Sequence, residues 1–168
     1  YSERLANRWK LLAGLSYSQN NDAIDQQLLN VNNEPVSGNL PPAMAAKNFT
    51  LQATSTLLQA RAVVQYKLKG LSGLRAGGEY WYHKDNTTYN NFGGQLQDHF
   101  TAAFAEADLY LSNKLAARAG LRAEYTSLLQ DASIAPRASL AYKVRNGEQV
   151  SADYGVFYQK PQVQYLRF

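Results

Sequence analysis

Along residues 115 to 125 the side chains alternate. Leu115, Ala117, Ala119, Leu121, Ala123 and Tyr125 share one parity, and Ala116, Arg118, Gly120, Arg122 and Glu124 share the other. A period of two puts these sets on opposite faces of a strand. The run before it, 99 to 111, sets Thr101, Ala103, Ala105, Ala107, Leu109 and Leu111 against Glu106, Asp108 and Tyr110, with Phe100 and Phe104 on the polar side. For the two apolar faces to coincide, paired positions must sum to an even number. A three-residue turn at Ser112, Asn113 and Lys114 then brings Leu111 opposite Leu115 and Asp108 opposite Arg118. Glu106 falls diagonally between Arg118 and Arg122.

A second hairpin follows the same rule. Ala138, Leu140, Tyr142 and Val144 share a face with Val150, Ala152, Tyr154, Val156 and Tyr158, and Arg137, Lys143, Ser151 and Asp153 lie opposite. A two-residue turn at Asn146-Gly147 would mismatch these faces. The expectation is a three-residue loop, Arg145-Asn146-Gly147, with the glycine left-handed. Upstream, the alternation Trp9, Leu11, Ala13, Leu15, Tyr17 predicts a strand. So do Ala60, Ala62, Val64, Tyr66, Leu68 and Leu74, Ala76, Gly78, Tyr80, Tyr82. Strands are therefore expected near 9–18, 50–68, 74–84, 99–111, 115–125, 135–144 and 148–158, all in one partial barrel domain over 1–168. Pro161 ends the last strand, and Gln162 and Gln164 break the alternation that would lead to Phe168. Residues 19 to 49, rich in Asn and Pro, read as a long loop with one short helix at Ala23 to Leu29. Short connections fall at 69–73, 112–114 and 145–147; long ones fall at 19–49, 84–98 and 126–134 and beyond 158. In an antiparallel meander this puts the short turns at one end and the long loops at the other, the polarity of bacterial outer-membrane barrels.

Composition bears on the picture in five ways. Mean hydropathy is −0.43 and 45% of residues are hydrophobic, which fits a soluble domain or a barrel equally. No run is long enough for a membrane-spanning helix, and no secretory leader pattern opens the chain. Absence of cysteine excludes disulfides, thiol catalysis and cysteine-ligated metals. The net charge of +4 is scattered among acids, without the basic concentration of a nucleic-acid footprint. Twelve tyrosines against six phenylalanines suit positions with one apolar and one wet end.

Alternation alone does not say which face meets water. Three features favour an apolar face turned to lipid. Aromatics sit near strand ends, as in a membrane girdle: Trp9, Tyr66 and Tyr142 toward the turns, Tyr17, Tyr82, Tyr125 and Tyr158 toward the loops. The apolar face is rich in alanine, which would fill a closed core poorly. The loop asymmetry has no counterpart in a soluble sandwich. The fold class expected is all-β: an antiparallel up-and-down transmembrane β-barrel segment. Seven strands is an odd number, whereas single-chain bacterial barrels have even ones, so the expectation is a section of a larger barrel.

A family resemblance adds to this. The segments Phe104-Ala105-Glu106-Ala107-Asp108-Leu109, Ala119-Gly120-Leu121-Arg122-Ala123-Glu124-Tyr125, Ala135-Pro136-Arg137-Ala138-Ser139-Leu140-Ala141-Tyr142 and Tyr154-Gly155-Val156-Phe157-Tyr158-Gln159-Lys160-Pro161 follow in order. Together with Leu115, they resemble the middle of the barrel domain of TonB-dependent outer-membrane receptors, most of all those of Bacteroidetes-type bacteria. The resemblance covers roughly residues 99 to 165. It implies a 22-stranded barrel in the bacterial outer membrane, embedded in its lipid and occluded by an N-terminal plug. Such a receptor takes up an extracellular ligand such as an iron chelate, cobalamin or a glycan, with energy delivered through TonB. The plug and the TonB-box segment are absent from this sequence. No enzyme activity, cofactor or nucleic-acid partner is expected. Two alternatives stay open: a small closed outer-membrane barrel with a structural or adhesin role, which needs an eighth strand from residues 1–8 or 161–168, and a soluble ligand-binding β-barrel.

The lumen-facing candidates are Arg61, Glu79, Glu106, Asp108, Arg118, Arg122, Glu124, Arg137 and Asp153. Their balanced signs favour a ladder of ion pairs bracing the wall over direct ligand contact. Trp81, Tyr89 and Phe92 are the loop candidates for ligand contact, because binding tends to sit on loops held by a rigid scaffold. His83 and His99 flank one loop but lack a third ligand at metal spacing. Glu106 and Asp108 point the same way along one strand, about 7 Å apart, and do not bracket a substrate as glycosidase carboxylates do.

Overall fold

The computed structural model describes residues 1–36, 38, 40–145 and 147–159. They form one sheet of eight antiparallel strands in sequence order: β1 (Ser2–Ala6), β2 (Trp9–Gln26), β3 (Phe49–Lys67), β4 (Gly73–Tyr89), β5 (Phe92–Tyr110), β6 (Leu115–Thr126), β7 (Asp131–Arg145) and β8 (Glu148–Gly155). The sheet is not closed; β1 and β8 are its edges. One short helix, α1 (Pro42–Ala45), lies in the connection from β2 to β3. The all-β, antiparallel reading of the sequence is thus met, with eight strands rather than seven.

The register of the middle hairpin is the one the apolar parity requires. Asp108 pairs with Arg118, Glu106 with Gly120, and the Leu111 N–H donates to the Leu115 carbonyl at 2.9 Å. In the next hairpin Leu140 faces Ala152 and Tyr142 faces Val150, so the apolar faces align as expected. Here β7 runs through Arg145, which pairs with Glu148 after a register shift, so Arg145 is not a loop residue. Gly147 has φ 91°, the left-handed conformation expected of it. Asn146 lies outside the described residues, as do the sequence expectations at Pro161, Gln162, Gln164 and Phe168.

Two expected loops prove to be strands. Residues 84–98 form the upper half of a β4–β5 hairpin, paired as far as Thr88 with Gly93 and Tyr89 with Phe92. Asn90 turns this hairpin at φ 52°, a conformation asparagine tolerates. Residues 19–26 continue β2, paired with 49–56, so Ala23–Gln26 are strand and the short helix forms later, at Pro42–Ala45. The connection expected over 126–134 contracts to 127–130, closed by Gln130 at φ 51°. Among the described residues, only 27–48 remains a long connection at that end. What distinguishes the two ends is therefore the reach of β2–β5 more than loop length.

At its other end β8 stops at Gly155, short of the expected Tyr158. The Phe157 ring bends back over Gly155, where a Cβ would lie 2.9 Å from it. Pro136 sits within β7 without breaking it. Its carbonyl accepts the Val156 N–H at 3.0 Å, on the side where β8 has just ended, so the donor proline lacks faces the end of the neighbouring strand.

Cross-strand rows assign every side chain to a face. Trp9, Tyr66, Leu74, Ala107, Ala119, Ala138 and Tyr154 form one row of the apolar face. That face is open: Leu15 is 76% exposed, Tyr154 67% and Leu121 52%. All the buried residues, Val63, Asp85, Leu96, Phe100, Ala102, Thr126 and Ala135, belong to the opposite, charged face. Side chains crowd on the charged side and stand apart on the apolar one.

Candidate functional site

The charged face between Arg61 and Arg118 carries a lattice of two ion-paired clusters. Glu79 is ion-paired with Arg61 at 3.2 Å and accepts from Arg122 at 2.9 Å, and Arg122 also bonds Glu124. Arg118 pairs with Asp108 and reaches Glu106 at 3.4 Å, and Arg75 stands 3.8 Å from Glu106 and 3.7 Å from Asp108. Cross-strand neighbours alternate in sign, and long arginines bridge diagonals as strand geometry allows. Glu79 is the best-enclosed member, its side chain 9% exposed. Arg75 was not singled out from the sequence, although its parity with Glu79 on one strand put it on the same face.

Arg137 and Asp153 share this face but stand apart from the lattice. Arg137 lies over the Phe157 ring at 5.1 Å and has no ion pair among the described residues. Asp153 faces Ser139 across the β7–β8 pair. Phe104 covers Gly77, whose Cβ would lie 2.5 Å from the Ala62 carbonyl and 2.9 Å from the ring, so only glycine fits there. Arg61 reaches back over the same ring at 5.8 Å.

The expected loop candidates lie in strands. Trp81 is on the charged face in β4, tilted against Phe100 with centroids 5.2 Å apart. Tyr89 and Phe92 end β4 and β5 and pair directly. Ile24, Leu51, Tyr89 and Phe92 form one cross-strand row, and Phe49 stacks on Tyr89 at 5.4 Å. This row belongs to the same face as the charged lattice, near the far end of the hairpins. It presents aromatic and aliphatic side chains beyond the charges.

The opposite face changes from apolar to polar partway up these strands. Past Tyr17, Leu58, Tyr82 and His99, the apolar face carries Gln19, Asn21, Thr54, Thr56, Lys84, Asn86, Gln95 and Gln97. Below that row one face is apolar and the other charged. Above it the first is polar, while the second mixes Leu57, Leu96, Leu51 and Phe92 with Asn20, Asp22, Ser55, His83, Asp85 and Asp98.

The two histidines sit on opposite faces. His99 Nδ1 is 2.8 Å from the Tyr80 hydroxyl on the apolar face, and its Nε2 is 2.9 Å from Gln97. His83 Nε2 is 3.2 Å from Ser55 Oγ and 3.1 Å from Asp85 Oδ1 on the charged face. One nitrogen meets both groups, whereas a hydrolytic Ser-His-Asp relay uses the two ring nitrogens separately. Asp98 was also missed by the sequence. Its Oδ1 accepts from Thr126 Oγ1 at 2.8 Å and from the Leu128 N–H at 3.1 Å, tying the 127–130 turn to β5. Comparison with protein families, with curated proteins and with solved structures found no match.

Proposed function

We propose that this chain is wall from a bacterial outer-membrane β-barrel, with its apolar face toward lipid and its charged face toward the lumen. The observation that carries this reading is the change of the apolar face to amide, hydroxyl and lysine side chains past the row of Tyr17, Leu58, Tyr82 and His99. A soluble barrel keeps one face inside and one outside along the whole strand. A strand leaving a bilayer exchanges lipid for water on its outer face, and amides and hydroxyls take over from Leu and Ala there. From Leu115 to Tyr125 the apolar band runs about 33 Å along the strand, or about 25 Å high once tilted by roughly 40°. That is the height of an outer-membrane barrel's apolar belt.

Within this reading, the wall belongs to a TonB-dependent receptor of the kind residues 99 to 165 resemble. Its role is then uptake of an iron chelate, cobalamin or glycan by the whole receptor, with the plug and TonB as partners. The charged lattice braces the wall, and Tyr89 and Phe92 meet ligand at the rim. A second reading has one observation in its favour. Ser2–Ala6 supply the eighth strand that a small closed barrel requires. The mass of the native protein in membranes separates these two: several times 18.7 kDa for a receptor, near 18.7 kDa for a small barrel.

The membrane reading is tested by a nitroxide at Leu121 in the protein reconstituted into lipid. We expect relaxation by oxygen and little by a polar quencher. Access only to the polar quencher, or immobilisation in a core, overturns both membrane readings.

A further inference from the structure

We propose that the notch over Gly120 on the charged face is a seat for an oxyanion, the carboxylate or phosphate group of a small solute. Arg75, Glu106, Gly120 and Arg137 form one cross-strand row, so glycine leaves a gap between two long side chains. Arg122 and Phe104 stand in the next row, and Arg61 reaches toward the gap over the Phe104 ring. The resulting cleft holds about 190 Å³ and is lined by four guanidiniums, Arg61, Arg75, Arg122 and Arg137, against one carboxylate, Glu106. At roughly 30 Å³ per water, that is room for an oxyanion and part of its hydration shell.

Two of the four guanidiniums have donors to spare. Arg75 meets its carboxylates only at 3.7 and 3.8 Å, beyond hydrogen-bond length. Arg137 has no ion pair among the described residues, and Phe157 at 5.1 Å steadies its plane without using its N–H groups. Glu106, the carboxylate that lines the cleft, already faces Arg118 at 3.4 Å. Arg75 and Arg137, at the two ends of the row that holds Gly120, offer the planar forks by which arginine recognises carboxylate or phosphate. The seat is open to water whether the charged face lines a lumen or a soluble surface, so it stands independently of the membrane reading.

The test is calorimetric titration of the native protein in detergent micelles with inorganic phosphate and, separately, with succinate at low salt. Saturable binding of either probe is expected, the tighter probe naming the preferred oxyanion. Arg137→Gln and Gly120→Ala should each weaken it about tenfold or more, the first by removing a charged donor and the second by filling the floor. The Gly120→Ala Cβ would stand 3.3 Å from the Ala105 carbonyl and Glu106 Cγ, so Arg137→Gln, which breaks no ion pair, keeps the test readable if that variant misfolds. Arg8→Gln, in the β1–β2 turn, should leave binding unchanged. No saturable binding of either probe, an unchanged affinity in Arg137→Gln, or an equal loss in Arg8→Gln overturns the seat.

Discussion

At the scale of single residues, the charged lattice separates pairs that matter for stability from pairs that decorate it. Asp108 and Arg118 pair as the parity of their strands requires, yet the arginine side chain is 53% and the aspartate 29% exposed. Water screens such a pair, so Asp108→Ala should cost less than about 1 kcal/mol. Glu79 holds both Arg61 and Arg122 and is 9% exposed, so Glu79→Gln leaves two guanidiniums short of a charge and should cost about 2 kcal/mol. Denaturant midpoints of the two variants measure the ranking; an Asp108→Ala loss as large as that of Glu79→Gln would contradict it. The Asp108–Arg118 pair was legible in the sequence because both lie where alternation is strong. The greater importance of Glu79 was not, because it depends on two partners from different strands.

At the scale of elements, the sequence reveals strands where one face is apolar and hides them where both faces are polar. From Trp9 to Tyr17 the period of two is plain. From Gln19 to Asp22 both parities are polar, and the strand persists because it pairs with residues 53–56 of β3. The same holds for 84–98, where Asn, Gly and Thr read as loop yet build a hairpin turned by Asn90. That residue has two roles. It takes the left-handed φ, and its Oδ1 accepts the Thr50 N–H at 2.8 Å while its own N–H donates to the Thr50 carbonyl at 2.8 Å. Asn90→Gly keeps the backbone conformation and removes only the side-chain acceptor. Amide exchange at Thr50 should then quicken by about tenfold, the worth of one hydrogen bond, while exchange in the middle of β4 stays as it was. Equal exchange at Thr50 in both proteins would mean the side-chain bond contributes nothing to the start of β3.

At the scale of the whole sheet, the apolar band does not follow the hydrogen-bonded rows. Its lower edge is Trp9 in β2, whose row reaches Ala138 in β7, but the apolar side chains of β7 continue four residues further to Tyr142 and six to Val144. A drop of about 14 to 20 Å along the strands over five inter-strand steps, about 24 Å of sheet, is a slope of roughly 30–40°. Strands of outer-membrane barrels tilt by about that angle. Leu15 and Ala132 therefore lie in one row, through Ala60, Tyr80, Thr101 and Tyr125, yet at different depths if the sheet stands in a bilayer. A nitroxide replacing Leu15 should sit well inside the apolar layer, open to oxygen, whereas one replacing Ala132 should sit at or beyond its edge, open to a polar quencher. Equal depths at the two positions would mean upright strands, and the band's slope would then need a cause other than a membrane. Depths reversed in order would place the hairpin ends of β2 to β5 on the wrong side of the apolar layer, and the lumen assignment of the charged face would fall with it.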